Sequence, residues 1–369
     1  MSTDTTATTR GTSRRDAVVE QLFLGAIGAL ETLHVYIGDR LGLYVALAGM
    51  PDATPNELAN TAGIAERYAR EWLEQQAVSG LLDVVHEEGD PSARRYRLPT
   101  EVAEVMTDAD SLNYLAPLAP LVASLGQTVP AVLEAFRTGS GVPYAAYGED
   151  LRNGIARLNR PMFLHQLATQ WIPALPDIQE RLQASDPPAR VAELGCGSGW
   201  ASIALARAYP AARVDGIDLD EASIVQARRN AEHAQLGDRI QFDCRDASDP
   251  ALAGRYDLVM LFETLHDMAN PVAVLRAAGA MLARGGAVLI GDEKAAETFT
   301  APGDELERFT YGFSALHCLP AGLTEPDSVA TGTVIRPDAV RRFAQQGGFR
   351  TATVLSIEHD FWRFYRLDP

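Results

Sequence analysis

Residues 191–199, Val-Ala-Glu-Leu-Gly-Cys-Gly-Ser-Gly, decide the fold. The apolar run Val191, Ala192 and Leu194 is short, as expected of a strand buried on both faces. Gly195, Gly197 and Gly199 then alternate with other residues, and apolar residues resume at helical spacing from Trp200 to Tyr209. A glycine turn between a strand and a helix N-terminus is where open α/β sheets hold nucleotide-like ligands. A dinucleotide turn has the spacing G-x-G-x-x-G. Here position 200 is Trp, and the third glycine comes one residue early. The plainer alternative is a tight βα turn of another kind of doubly wound α/β protein.

The pattern Glu193-x-Gly195-x-Gly197-x-Gly199 resembles motif I of the class I S-adenosylmethionine (SAM) methyltransferases. The resemblance implies that the turn packs on the methionine part of SAM and that Glu193 faces its ammonium group. Residues 213–219 read as the second strand, with Asp218 at its C-terminal end, where an acidic side chain can bind both ribose hydroxyls. Asp220 is the expected cap of the following helix, since Glu221 begins it. Residues 239–247 resemble the third strand and its loop, which implies that Asp246 and Ala247 lie near the adenine. Leu219 and Phe262 complete the expected cofactor set. Cys244 reads as a core residue of that strand. Residues 256–262 form the fourth strand and 285–290 the fifth. A helix over 337–346 ends at Gly347-Gly348, and strands at 353–356 and 362–367 close the domain.

The fourth strand delivers Glu263-Thr-Leu-His-Asp-Met268 to the sheet's C-terminal edge. This is similar to the Leu-His-Asp signature of winged-helix O-methyltransferases, which implies His266 as general base with Asp267 orienting it. Histidine suits that task near neutral pH. The alternative for His266 is a packing or capping role. His317 follows in an aromatic stretch with Phe313. Two histidines and a carboxylate suit a divalent metal, so His266, Asp267 and His317 form an alternative metal set. Some methyltransferases that look like this one use a metal there to methylate the carbon of a 2-oxoacid. Cys318 reads as structural.

Upstream, 187–369 is the expected catalytic domain and 101–186 a helical region over the substrate pocket. Within the latter, 139–143 and 147–150 interrupt the helical pattern. Tyr144, Tyr147, Phe163 and Trp171 are substrate-pocket candidates, with His165 a weaker one and ordinary helix core the alternative. Residues 15–100 read as a winged helix. Two helices are expected over 17–48. Thr54-Pro55-Asn56-Glu57 carries a capping box and a first-turn proline, and that helix stops at Gly63. Another helix spans 65–79, and strands at 81–86 and 95–98 flank a polar turn at 87–93. A DNA-binding regulator shares this outline, but Arg67 and Arg70 are offset by Glu66, Glu71 and Glu74, whereas a DNA-reading helix is clearly basic. The winged helix implies homodimerisation instead. Residues 1–14 read as a disordered tail.

Composition sets the outer limits. The 369 residues are 47% hydrophobic and carry a net charge of −17. That charge repels a phosphate backbone, so neither nucleic acid nor a membrane is expected as partner. No uninterrupted apolar run has membrane-spanning length. Ser13-Arg14-Arg15 hints at a twin-arginine signal, but Asp16, Glu20 and Glu31 break the apolar region it needs. Three cysteines without paired spacing point to a reducing, cytoplasmic setting. The matches Leu-His-Asp-Met (265–268), Ala-Pro-Gly-Asp-Glu (301–305) and Leu-His-Cys-Leu-Pro-Ala-Gly (316–322) resemble a group of actinobacterial winged-helix methyltransferases. The expected protein is a Rossmann-like seven-stranded α/β methyltransferase with a mostly helical winged-helix domain, acting on a small molecule. O-methylation of a hydroxyl leads, with metal-assisted C-methylation second and a SAM-binding regulator without turnover third.

Overall fold

The computed structural model describes residues 13–86, 89–249, 251–252 and 256–369. The tail expected over 1–14 lies outside the described residues as far as 12. Ser13 instead caps a helix that begins at Arg14. The chain forms two compact units. One runs to Asp108 and takes in Asn113–Val122; the other holds Ala109–Leu112 and Ala123–Pro369.

In the first unit, residues 14–40 form one long helix, Arg14–Arg40, followed by a short one, Leu43–Ala48. The two helices expected over 17–48 therefore divide at Leu41-Gly42, where Gly42 has φ +66°. Helix Pro55–Ala62 starts at the predicted box: Thr54 and Glu57 bond each other's backbone N–H, and Gly63 ends the helix at φ +68°. Helix Glu66–Val78 follows. The wing is β1 (Asp83–His86) against β2 (Arg95–Arg97), antiparallel. Leu43, Leu47, Leu58, Trp72, Leu73 and Tyr96 form its core. The arginines of helix Glu66–Val78 are spent on that helix, Arg67 with Glu71 and Arg70 with Glu66 at 3.6 Å. Helix Arg14–Arg40 exposes Leu22, Phe23, Leu24 and Leu30. By length and composition, this helix and Leu118–Thr138 are apolar enough to cross a membrane. The scattered polar residues that break each apolar run did not reveal this in the sequence.

The second unit is built on one sheet. Its strands are β3 (Arg190–Leu194), β4 (Arg213–Asp218), β5 (Ile240–Cys244), β6 (Tyr256–Phe262), β7 (Leu282–Glu293), β8 (Thr351–Val354) and β9 (Trp362–Asp368). The order is β5-β4-β3-β6-β7-β9-β8, parallel except at β9, which runs antiparallel to both neighbours. The inner strands are apolar because both faces are covered: Leu258, Val259, Met260 and Leu261 of β6 are all buried. Strand order reverses beside β3, and the crevice at such a reversal is where open α/β sheets hold ligands. The glycine turn leaves β3 at that place. Glu193, Asp218 and Phe262 stand at or next to the carboxyl ends of β3, β4 and β6.

Candidate functional site

The glycine turn is shaped by contacts that leave no room for side chains. Gly195 has φ +73°, and a Cβ there would lie 2.5 Å from Thr264; at Gly199, φ +76°, it would lie 2.5 Å from Phe242. Both positions need glycine on two counts, conformation and space. The turn is pinned from β4. Asp218 accepts from the Gly197 N–H at 2.8 Å and from the Asp220 N–H at 2.9 Å. Burial raises the Asp218 carboxyl above its ordinary range. Asp220 caps the next helix as predicted, accepting from the Ser223 N–H at 2.9 Å. Glu193 is buried under the turn and accepts from the N–H of Ser202 at 2.9 Å and from its hydroxyl. Desolvation pushes Glu193 up to about 8. Asp246 heads a tight turn, accepting from the Ser248 N–H at 2.7 Å.

These groups open onto a cavity of 680 Å³, within the range that suits small ligands. Of the expected cofactor residues, Glu193, Gly195, Gly197, Asp218, Leu219, Asp246, Ala247 and Phe262 line it. Gly199 does not; it is the helix N-cap and packs on Phe242. Of the pocket aromatics, Tyr144 and Phe163 line the cavity. Tyr147 is turned away, its hydroxyl donating to the Leu316 carbonyl at 2.8 Å. Trp171 is buried among Phe163, Phe262, Trp362 and Phe364. Phe313 packs on the His317 ring. His165 is exposed, bonded to the Asp110 carbonyl at 2.7 Å. Cys244 is exposed rather than core, and His359 is half-buried against Trp171 and Trp362.

The two histidines separate. Leu265–Asp267 is a single 3-10 turn after β6. It points the His266 ring away from the cavity, toward β7. The Nδ1 of His266 lies 2.6 Å from Asp292 Oδ1, and its backbone N–H donates to the same carboxylate at 3.2 Å. Its Nε2 lies 3.3 Å from Asp267 Oδ1. Burial alone would lower the imidazole, but Asp292 and Asp267 outweigh it and hold His266 well above the usual value. A ring held protonated between two carboxylates is a poor base. His317, in contrast, lines the cavity together with Asp267. It is 1% exposed, and its Nε2 has no hydrogen-bond partner. Burial lowers its pKa below the ordinary value, so the ring is neutral. Tyr144, Tyr147 and Phe313 pack around it, and Nδ1 sits 3.3 Å from Cys318 Sγ.

The set whose donor atoms converge within 4.8 Å is His266, Asp267 and Cys318, not the expected His266, Asp267 and His317. It has the chemistry of a metal site in part, since Asp292 holds the far nitrogen of His266 as carboxylates do behind metal-bound histidines. Against that, burial pushes the Cys318 thiol up to about 12, and a thiol must ionise to bind a metal.

Arg152, Asn159 and Glu263 line the wall and were not among the site residues expected from the sequence. Arg152, Ile155, Ala156 and Asn159 recur at helical spacing on Gly148–Met162, and that period was the available signal. Glu263 leaves β6 with φ +54°, a left-handed conformation rare for a long side chain. Asn159 Nδ2 donates to its carboxylate. Glu293, buried and held protonated by desolvation and by the charge of Glu263, shares its proton with it.

Comparison with known proteins places this geometry. Residues 185–333 match a profile described as a methyltransferase domain, and residues 29–108 one described as an Rv2258c-like winged HTH domain. The 27-O-demethylrifamycin SV methyltransferase of Amycolatopsis mediterranei is 34% identical over 112 residues, 30% of this chain and 40% of that one. A ubiquinone biosynthesis O-methyltransferase of Coxiella burnetii is 29% identical over 173 residues, 46% of this chain and 67% of that one. The chain thus spans well under half the length of the first relative and about two thirds of the second. Human N-acetylserotonin methyltransferase in complex with SAM superposes with a TM-score of 0.68 at 17% identity, covering 97% of this chain and 99% of that one; this likeness is one of fold.

Proposed function

Because the chain carries a methyltransferase domain together with a winged helix-turn-helix domain, we propose that it transfers a methyl group from SAM to a hydroxyl of a small molecule. One observation carries the reading. The Gly195–Gly197 turn, Asp218 and Asp246 share one cavity with Tyr144, Asp267 and the unpartnered Nε2 of His317. A cofactor cradle and an acceptor chamber are therefore continuous.

SAM, when bound, supplies a methyl group already activated on a sulfonium. The protein's task is placement and proton removal. Glu193 would face the SAM ammonium, Asp218 the ribose hydroxyls and Asp246 the adenine edge. Phe163, Phe262 and Tyr144 would hold an apolar acceptor and exclude water, and positioning of that kind supplies much of the rate. His317 Nε2 takes the acceptor proton. The ring is neutral and forms part of the cavity wall, whereas His266 lies behind Asp267 and does not line the cavity. His266 is a positioning residue that anchors the 265–267 turn to Asp292.

We further propose that the chain is a homodimer joined through its N-terminal unit. The exposed apolar side chains of helix Arg14–Arg40 support this, since a large exposed apolar patch on a soluble protein is commonly an interface. Three free cysteines suit a cytoplasmic setting. A second reading keeps a divalent metal on His266, Asp267 and Cys318 for C-methylation of a 2-oxoacid; the convergence of those donor atoms favours it.

The test is a methyl-transfer screen with SAM over phenols, catechols and 2-oxoacids, scored by the demethylated cofactor product. A methylated hydroxyl is expected. Methylation confined to 2-oxoacid carbon would replace the first reading with the second, and no transfer to any class would remove both.

A further inference from the structure

The charge of the cavity wall is lopsided. Seven carboxylates line it against two arginines. Both arginines are already paired: Arg152 lies 3.7 Å from Asp220, and Arg245 lies 2.5 Å from Asp249. The cofactor reading employs the carboxylates of β3, β4 and β5 near the glycine turn. Glu263 and Asp267, on the β6 exit, are left over along with Glu325, and no cationic side chain that lines the cavity pairs with Glu263 or Asp267. Glu263 receives hydrogen bonds from Asn159 and Glu293 but no lysine or arginine. Asp267 Oδ1 has no hydrogen-bond partner, although His266 stands 3.3 Å behind it.

A second observation points to a ligand here. His317 Nε2 is fully buried, unpartnered and on the same wall. A buried polar atom without a partner costs free energy, and its ring forms part of the wall of a chamber that a ligand can fill. Carboxylate oxygens are acceptors, and the imidazole Nε2 is one when Nδ1 carries the ring proton. The wall therefore asks its occupant for hydrogen-bond donors and positive charge.

We propose that the acceptor carries a cationic amine beside its reacting hydroxyl, with the amine received by Glu263 and Asp267 and the hydroxyl by His317. This rests on the methyltransferase reading and deepens it by naming the substrate class. Glu263 is buried with His266 as a nearby cation behind the wall, and an arriving ammonium adds a counter-charge from the cavity side. The same field repels an anionic acceptor. Asn159 and Glu293 are positioning residues, fixing the Glu263 carboxylate toward the cavity.

The test uses the full chain loaded with S-adenosylhomocysteine. Phenol, catechol and hydroxyindole scaffolds are each titrated with aminoethyl, hydroxyethyl and carboxyethyl side chains, by calorimetry. On at least one scaffold the aminoethyl member should bind about tenfold tighter than the hydroxyethyl member, and the carboxyethyl member weakest; about tenfold corresponds to one decade of Kd. Glu263→Gln should erase that preference, and Asp267→Asn should do so if Glu263→Gln does not fold. Absence of an amine preference on every scaffold, including no binding at all, overturns the proposal. The parent reading is scored separately, by methyl transfer from SAM. Transfer without amine preference leaves the parent standing and the proposal refuted; amine preference without transfer to any scaffold overturns the acceptor reading and the proposal with it, leaving an amine-binding site.

Discussion

His266→Ala separates a buried strut from a base. The ring lies 2.6 Å from Asp292, which is fully buried, and Asp292 also accepts from the His266 and Glu293 backbone N–H groups at 3.2 and 2.8 Å. Removing the ring leaves Asp292 charged, buried and short of its cation. Breaking such a pair by deleting one partner costs about 3–5 kcal/mol. At 1.36 kcal/mol per decade, that is roughly two to four powers of ten in the folded-to-unfolded ratio. The sign of the pH dependence follows from the direction of the shift. The folded pKa of His266 is raised above 6.5. Its contribution is therefore fully present below pH 6.5 and lost as pH rises through the folded value. Urea unfolding of wild type and His266→Ala, from pH 6 to the alkaline limit of folding, should show a large gap at low pH that narrows toward high pH. A gap below about 1 kcal/mol at pH 6 would refute the charged-strut reasoning, because a neutral, loosely held ring has little to lose.

Three further outcomes are expected. Asp218→Ala should abolish SAM binding in calorimetry, since it removes both the ribose acceptor and the anchor of the Gly197 N–H; unchanged affinity would sink the cradle. Glu193, raised from 4.5 to about 8, holds an extra proton in the folded state, so the ligand-free protein should lose stability as pH rises from about 4.5 through about 8. Glu193→Gln should flatten that decline in thermal melts, and an undiminished decline would show that another group causes it. Metal analysis of protein purified without an affinity tag should find no stoichiometric iron or zinc if O-methylation by His317 is right; one metal per chain, lost in Cys318→Ser, would favour the second reading instead.

The backbone of the catalytic unit was legible because its signals are local. The glycine alternation at 195–199, the Thr54–Glu57 box and the apolar strands at 191–194 and 256–262 each report a requirement met within a few residues. The cofactor side was legible for the same reason: strand ends place Glu193, Asp218 and Asp246 by backbone alone. The acceptor side was not. Whether His266 faces the cavity depends on a single 3-10 turn and on Asp292, 26 residues away in sequence. Tyr147 and Trp171 have the right composition for a pocket, but one hydroxyl is claimed by the Leu316 carbonyl and one indole by an aromatic core. Glu263 was in view as part of a motif, yet the positive φ that accompanies its place on the cavity wall leaves no mark in the sequence.

Arg152, Ile155, Ala156 and Asn159 lie on one stripe of a single helix, Gly148–Met162. On the proposed reading, the cofactor would be addressed by strand termini whose main chain is locked into the sheet, and much of the acceptor by replaceable side chains on that stripe. The two tasks are thus written in different parts of the chain. Substitutions at Ile155 or Ala156 can reshape the chamber one helical turn at a time without disturbing a hydrogen bond of the cradle. A scaffold divided in this way can change what it methylates while keeping how it obtains the methyl group.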